Sequence, residues 1–477
     1  MAGLVPAIHV SFRCPRDCQD KPVKPGHDGK YMTDYSNQQD LLRDLLACAR
    51  AAGADAADAV LIAGSSLGVQ QRLGKTEHVE RSEGRDLGLR VFVGQKAAIV
   101  SSTTIDPSGF AMLAERAVAM ARVVPDDPYA GLADTAAPPE SVPLDLVDTA
   151  EPDVEALVAR AAAAEEAALA VSGVTNSEGA GAGFSRSEAV LVTSAGFAGR
   201  SVRTGHSVSA TALAGSGTGM QRDYDYHSTV HLADLDDPAK IGRSAGDRAV
   251  ARLGPDRPKT AKLPIVYDPR VAGSLLGHLA GAINGASIAR GTSFLKDKLG
   301  QPIFTPGITV HDDPRRVRGL RSRVFDGEGT PTTARALIDD GVLTTWLLDS
   351  RSARQLGLVS TGHAARGTGG PPSPSPSNLY LAAGTITPTE LMADIALGLY
   401  VTELIGMGVN GVTGDYSRGA AGFMIRDGAI AEPVAEITIA GNLLEMFAHL
   451  TPANDLVFRR GTDAPTVRVE GMTMAGA

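Results

Sequence analysis

Four extended runs in a row constrain the first half of this chain to an antiparallel sheet. They read "DAVLIAG", "LGVQQRLGKTEHVERSEG", "DLGLRVFVG" and "QKAAIVSSTT". Each is rich in β-branched or alternating residues, and glycine or aspartate separates it from the next, the pattern of a meander. Ser36 and Gln39 form a capping box ahead of an apolar 3.6-residue pattern through Leu41, Leu42, Leu45 and Leu46, a helix that should stop near Gly53. A second helix reads from "PSGFAMLAERAVAMARVV", a third from the alanine-rich "DVEALVARAAAAEEAALAV" and a fourth from "DPAKIGRSAGDRAVARLG". Between the third and fourth, residues 174–215 read as further hairpins with glycine-rich turns. The proline-rich stretch Val123 to Asp145 is a loop.

Linker chemistry in "GPDRPKTAK", Gly254 to Lys262, divides the chain. Beyond it come one helix near 268–284 and then mostly strands. "ARALIDDGVLTTWLL" and "GFMIRDGAIAEPV" carry Asp-Gly hairpin signals. Short helices are expected in "TPTELMADIALGLYV" and "AGNLLEMFAHL", and residues 365–378 form a low-complexity loop. Strands and helices are grouped rather than alternating, so the fold class is α+β in two domains. The expected organisation is an extension or misassigned start at 1–31, an antiparallel sheet with flanking helices at 32–255, and a β-rich domain at 256–477.

The chain of 477 residues is long enough for two cores. Its net charge of −9 argues against a nucleic-acid surface. No apolar run approaches the length of a membrane span. The three cysteines, Cys14, Cys18 and Cys48, all stand in the first tenth of the sequence. The body therefore offers neither a disulfide framework nor a thiolate ligand, which fits a cytoplasmic setting.

Several motifs fall short of the chemistry they suggest. "GVQQRLGKT" misses the P-loop spacing, with five residues between Gly68 and Gly74 and Val69 where a glycine is needed. "GAGAG" at 179–183 and "GSGTG" at 215–219 are not dinucleotide fingerprints and suit turns and close packing. His227 and His231 are four apart but lack a glutamate between them, in a stretch that reads as extended. Ser360 and His363 are near neighbours in sequence, and only a spatial triad would make them catalytic.

The segments "FDGEGTPTTARALIDDGVLTTWLLDSRSARQLGLVSTGH", "VTELIGMGVNGVTGDYSRGAAGF" and "EITIAGNL" resemble the TldD/PmbA family over residues 34–477, the last two on its PmbA (TldE) branch. The resemblance implies an N-terminal α+β domain and a β-rich C-terminal domain. It also implies a TldD–TldE heterodimer acting as a metalloprotease on peptide precursors and unfolded chains. In TldD the helix equivalent to 268–284 carries HExxxH, two zinc-binding histidines and a glutamate that activates water, and a cysteine ligand follows near the C-terminus. Here His278 matches the first histidine, Leu279 stands for the glutamate and Ile283 for the second histidine, and no cysteine follows Cys48. One histidine cannot hold a catalytic zinc.

The expectation is a subunit with no catalytic residue and no metal of its own, paired with a zinc-bearing TldD-like subunit. Its candidate substrate-binding residues are His278, His363, Glu403, Asp415, Tyr416, Ser417 and Arg418, with strand addition as the mode of peptide capture. A turn held by an internal Asp415–Arg418 pair reads the same residues equally well. Two other function classes remain open. One is a stand-alone peptide-binding or regulatory protein of the DNA gyrase modulator type. The other is an independent hydrolase using Ser360 or Ser417 with His363.

Overall fold

A computed structural model of the chain describes residues 35–135 and 142–477. The expected extension at 1–31, with Cys14 and Cys18, lies outside the described residues. The first helix, α1 (Tyr35–Ala51), ends two residues before Gly53 and buries Leu42, Leu45 and Leu46. It begins ahead of Ser36, whose side chain is also outside the described residues.

The meander is a six-stranded antiparallel sheet of β1 (Ala56–Arg72), β2 (Lys75–Val93), β3 (Lys96–Ser102), β4 (Val174–Thr193), β5 (Ala198–Ala214) and β6 (Gln221–Thr229). Its spatial order, β3-β2-β1-β4-β5-β6, joins two similar halves at the β1–β4 pair. α1 and α2 (Phe110–Val123) cover the first half, and α3 (Val154–Leu169) and α4 (Pro238–Ala251) cover the second. "GVQQRLGKT" is the β1–β2 hairpin, turning on Leu73 and Gly74 at φ 48° and 71°. Positive φ at both turn residues suits the right-handed twist of the strands it joins.

The second pair of helices shows why its sequence is alanine-rich. Ala161, Ala164 and Ala168 on α3 and Ala245 and Ala249 on α4 are almost fully buried. A Cβ on Gly242 would sit 1.8 Å from the Ala164 carbonyl oxygen, so nothing larger than glycine fits there without shifting a helix. The "GAGAG" stretch serves the expected close packing, but within a strand and not in a turn. It lies inside β4, where Gly181 and Gly183 face Ser209 and Ser207 across the pair with β5. A Cβ on Gly183 would lie 2.9 Å from the Ser207 hydroxyl, so the glycines make room for side chains opposite.

The C-terminal domain begins with β7 (Ala261–Tyr267). This strand runs parallel to Leu397–Ile405 and antiparallel to Val467–Ala475. Asp415–Arg426 and Ala429–Asn442 continue the sheet. Residues 438–440 then pair with 473–475, closing five strands into a ring. α5 (Pro269–Ala282) follows β7 and packs against both this ring and a smaller sheet that includes Leu379–Leu381. The two Asp-Gly hairpins form as expected, with φ of 45° and 81° at Asp340 and Gly341 and of 48° and 79° at Asp427 and Gly428.

Two local expectations change. "TPTELMADIALGLYV" holds a helix only at Pro388–Met392, started by a Thr387–Glu390 capping box, and its second half is strand. Gly398 allows close approach to β7, since a Cβ there would lie 3.2 Å from the Pro264 carbonyl oxygen, and Leu399 and Val401 are fully buried on one face. The stretch at 365–378 is tied into the body. Residues 364–365 pair with 373–374, Arg366 reaches Asp58, and the Thr368 hydroxyl donates to Asp86.

Candidate functional site

α5 is set by its own ends. The Asp268 side chain accepts from the Arg270 backbone N–H at 2.9 Å, and Pro269 fills the first helical position. Leu275, Leu276, Leu279, Ala282 and Ile283 then turn into the core. Leu279 and Ile283 have no exposed surface at all.

His278 stands half-buried at the edge of this stripe, with its ring edge-on to the Tyr416 ring at 5.8 Å between centroids. Tyr416 and Arg418 point the same way from Asp415–Arg426 because alternate residues of a strand share a face. They are 1% and 9% exposed. Arg418 donates Nε to the Ile405 carbonyl at 3.4 Å, and among the described residues no carboxylate lies within ion-pairing distance of it. Burial first, and then the charge of Arg418, lowers the His278 pKa to about 4. Burial raises the Tyr416 pKa to about 12 against the pull of Tyr267 and Arg418. At neutral pH the cluster is one guanidinium beside a neutral imidazole and a neutral phenol.

Below the ordinary histidine value of 6.5 the unfolded chain takes a proton at His278, while the folded chain refuses it until about 4. Stability contributed by this residue is therefore lost as the pH falls through that window. An NMR titration is expected to place the His278 midpoint near 4, and a midpoint near 6.5 would show a solvated ring.

The other candidates have different surroundings. Asp415 and Ser417 are exposed beside an open depression of about 590 Å³, lined also by Met407, Val409, Asn410 and Tyr416. Asp415 accepts from the Thr413 hydroxyl at 2.6 Å and does not pair with Arg418, so the expected Asp–Arg turn is not formed. Glu403 accepts from Arg252 in a chain that continues to Asp223 and Arg270. This chain ties α4 and β6 to α5 and the strand Leu397–Ile405. Beyond Glu403, its members Arg252, Asp223 and Arg270 carry no sign in the sequence, since each lies in a different element and no local spacing marks them.

His363 is 2% exposed. One ring nitrogen lies 2.8 Å from the Thr361 hydroxyl and the other 3.1 Å from Asp312. Asp312 also accepts from Ser377 at 2.6 Å, and Ser360 interacts with the Leu348 carbonyl. Neither Ser360 nor Ser417 is a partner of His363, so the hydrolase reading lacks its nucleophile–base contact. His227 and His231 face Asp236 and Asp145 on β6 and just past its end.

Comparison with known proteins agrees with this arrangement along almost the whole chain. Residues 260–476 match the PmbA/TldA metallopeptidase C-terminal domain, residues 148–253 its central domain and residues 57–121 its domain 1. The metalloprotease PmbA of Escherichia coli O157:H7 is 37% identical over 425 residues, covering 88% of this chain and 92% of that protein. The chain belongs to the PmbA/TldD family, on its PmbA (TldE) branch.

Among solved structures, a Bacteroides thetaiotaomicron protein named as a modulator of DNA gyrase superimposes with a TM-score of 0.85 at 26% identity, covering 94% of this chain and all of that one. TldE from Thermococcus kodakarensis has the same fold, with a TM-score of 0.79 at 20% identity over 91% of this chain. The domain 1 and central-domain matches fall on the two halves of the N-terminal sheet.

The zinc implied by the TldD/PmbA resemblance does not fit α5 of this chain. Leu279 and Ile283, at the positions of the glutamate and second histidine, are apolar and fully buried. Among the described residues no three of His, Cys, Asp and Glu come together as a ligand set.

Proposed function

We propose that this PmbA/TldE-type chain is the non-catalytic subunit of a cytoplasmic two-subunit metallopeptidase. It receives extended or unfolded peptides beside α5 and presents them to a zinc-bearing TldD-like partner. The observation that carries the reading is α5 itself, which keeps the helix, its cap and His278 while apolar side chains replace the catalytic groups. A fold kept without its chemistry is useful as a wall of a chamber whose chemistry lies in another chain. The metalloprotease name of its Escherichia coli relative supports this reading.

The exposed Ile405, Met407 and Val412 next to the depression give an apolar surface for docking. A stable complex would bury more than about 1,000 Å². The test is cleavage of an unstructured peptide by a TldD-like subunit with and without this chain. Cleavage about tenfold faster in the mixed complex is expected, the scale of a positioning effect. Met407→Glu should weaken the complex without changing its zinc content. Equal cleavage with and without this chain sinks the reading.

A regulatory role without a catalytic partner is the second reading, favoured by the gyrase-modulator name of the Bacteroides structure. It takes over if no complex forms.

A further inference from the structure

Three polar groups of the α5 cluster lack a protein partner of the expected kind, and all three are hydrogen-bond donors or can become so. The His278 Nε2 is a buried atom with no hydrogen-bond partner, and the buried Tyr416 hydroxyl has only the neighbouring Tyr267 hydroxyl beside it. The Tyr267 hydroxyl also lies 3.4 Å from the Met472 thioether. Arg418 holds a buried charge with one carbonyl contact and, among the described residues, no carboxylate. A buried guanidinium is normally paired, because leaving its charge without a counter-charge is costly. Unpartnered buried polar groups are rare and call for an explanation.

The surroundings leave room for a ligand. Gly277 and Gly281 bracket His278 on α5, both exposed, and a Cβ at either position would meet no atom within 4 Å. Glycine is a poorer helix former than alanine, so a bare face here fits close approach of another backbone. Tyr416 also lines the 590 Å³ depression, so the cluster borders an opening of peptide size.

We propose that Arg418, Tyr416 and His278 form a pocket for a carboxylate of the bound peptide, supplied either by its C-terminus or by an acidic side chain. A carboxylate matches all three groups. It takes paired N–H donors from a guanidinium, a further bond from the phenol, and one from the imidazole Nε2 when that nitrogen carries the proton. Phosphate would also suit the arginine, and inorganic phosphate serves as a competitor in the test. The proposal rests on the reading that peptides are what this chain binds.

The test is direct binding of three short unstructured peptides to the purified full chain by calorimetry. The first has a free C-terminus and no acidic side chain. The second is its C-terminal amide. The third is an amide with one internal glutamate. Either carboxylate-bearing peptide is expected to bind at least about tenfold more tightly than the plain amide. Which of the two does so identifies the source.

Arg418→Gln should reduce that preference by about tenfold to a hundredfold. Tyr416→Phe keeps the ring against His278 and removes only the hydroxyl, so it carries the test if the arginine variant fails to fold. It should reduce the preference by several-fold. Equal binding of acid and amide, or an undiminished preference in Tyr416→Phe, overturns the pocket. So does competition by millimolar phosphate that outweighs the peptide acid. A pocket lost in this way while the mixed complex still cleaves peptide leaves the subunit reading standing.

Discussion

Asp223→Ala is expected to lower the stability of the folded chain by about 3–5 kcal/mol, the range for breaking one side of a buried ion pair. Asp223 is 2% exposed and meets two arginines from different elements. Arg270, on the first turn of α5, reaches it at 2.6 and 3.0 Å, and Arg252, just past α4, at 3.2 Å. Burial works to raise the Asp223 pKa, and the hydrogen bonds and charge of Arg270 outweigh it, so the carboxyl sits below its ordinary value. The alanine variant leaves two guanidinium groups facing each other, with only Glu403 to serve Arg252. Urea denaturation followed by tryptophan fluorescence reads the effect through Trp346. The Arg43–Asp40 pair is a control, since its side chains are 54% and 66% exposed. Surface pairs of that kind contribute little. An Asp223→Ala midpoint that moves no further than Asp40→Ala would show that the cluster is a consequence of domain packing and not a cause of it.

Asp58→Asn should produce a loss of the same order, about 3–5 kcal/mol, by a separate route. Asp58 stands on β1 directly opposite Arg90 on β2, and Arg90 Nε lies 2.9 Å from its carboxylate. Arg366, from the C-terminal domain, meets its other oxygen at 2.6 Å. All three side chains are nearly inaccessible. The asparagine keeps the shape and one acceptor and removes the charge that both arginines face. Burial raises the Asp58 pKa and the charges of Arg90 and Arg366 more than reverse it, so the folded value lies below 3.8. The contribution is therefore complete above the unfolded value and fades as the pH falls through the folded one. Hydrogen exchange should show residues 364–374 losing protection in the variant, because Arg366 is their tie to β1. Unchanged protection there, with a full loss of global stability, would place the effect within the N-terminal sheet alone.

These two clusters also mark what could be read from the chain before its structure. Features decided by neighbours in sequence were legible. The start of α5 follows from Asp268 and Pro269, whose side chain and ring act within one turn. The Asp-Gly hairpins follow because both residues tolerate positive φ. The failed zinc motif was legible too, since Leu279 and Ile283 occupy fixed places on one helix. Where local signals conflicted, packing decided. "TPTELMADIALGLYV" is helical only as far as its capping box reaches, and the ring of strands claims the rest. Gly181 and Gly183 looked like turn residues and became strand residues because serines on β5 needed the space.

By itself the sequence determined the class of fold and the apolar residues, Leu279 and Ile283, that stand at two of the motif positions on α5. Tertiary structure alone decided which charges meet. Asp223 finds Arg252 and Arg270, and Asp58 finds Arg366 308 residues away. It also decided that Tyr416 and Arg418 face His278 while Asp415 and Ser417 face solvent. The physical reason is range. Caps, turns and side-chain periodicity are set by bonds spanning a few residues, whereas ion pairs and desolvation depend on which surfaces the closed sheet and its helices bring within a few ångströms.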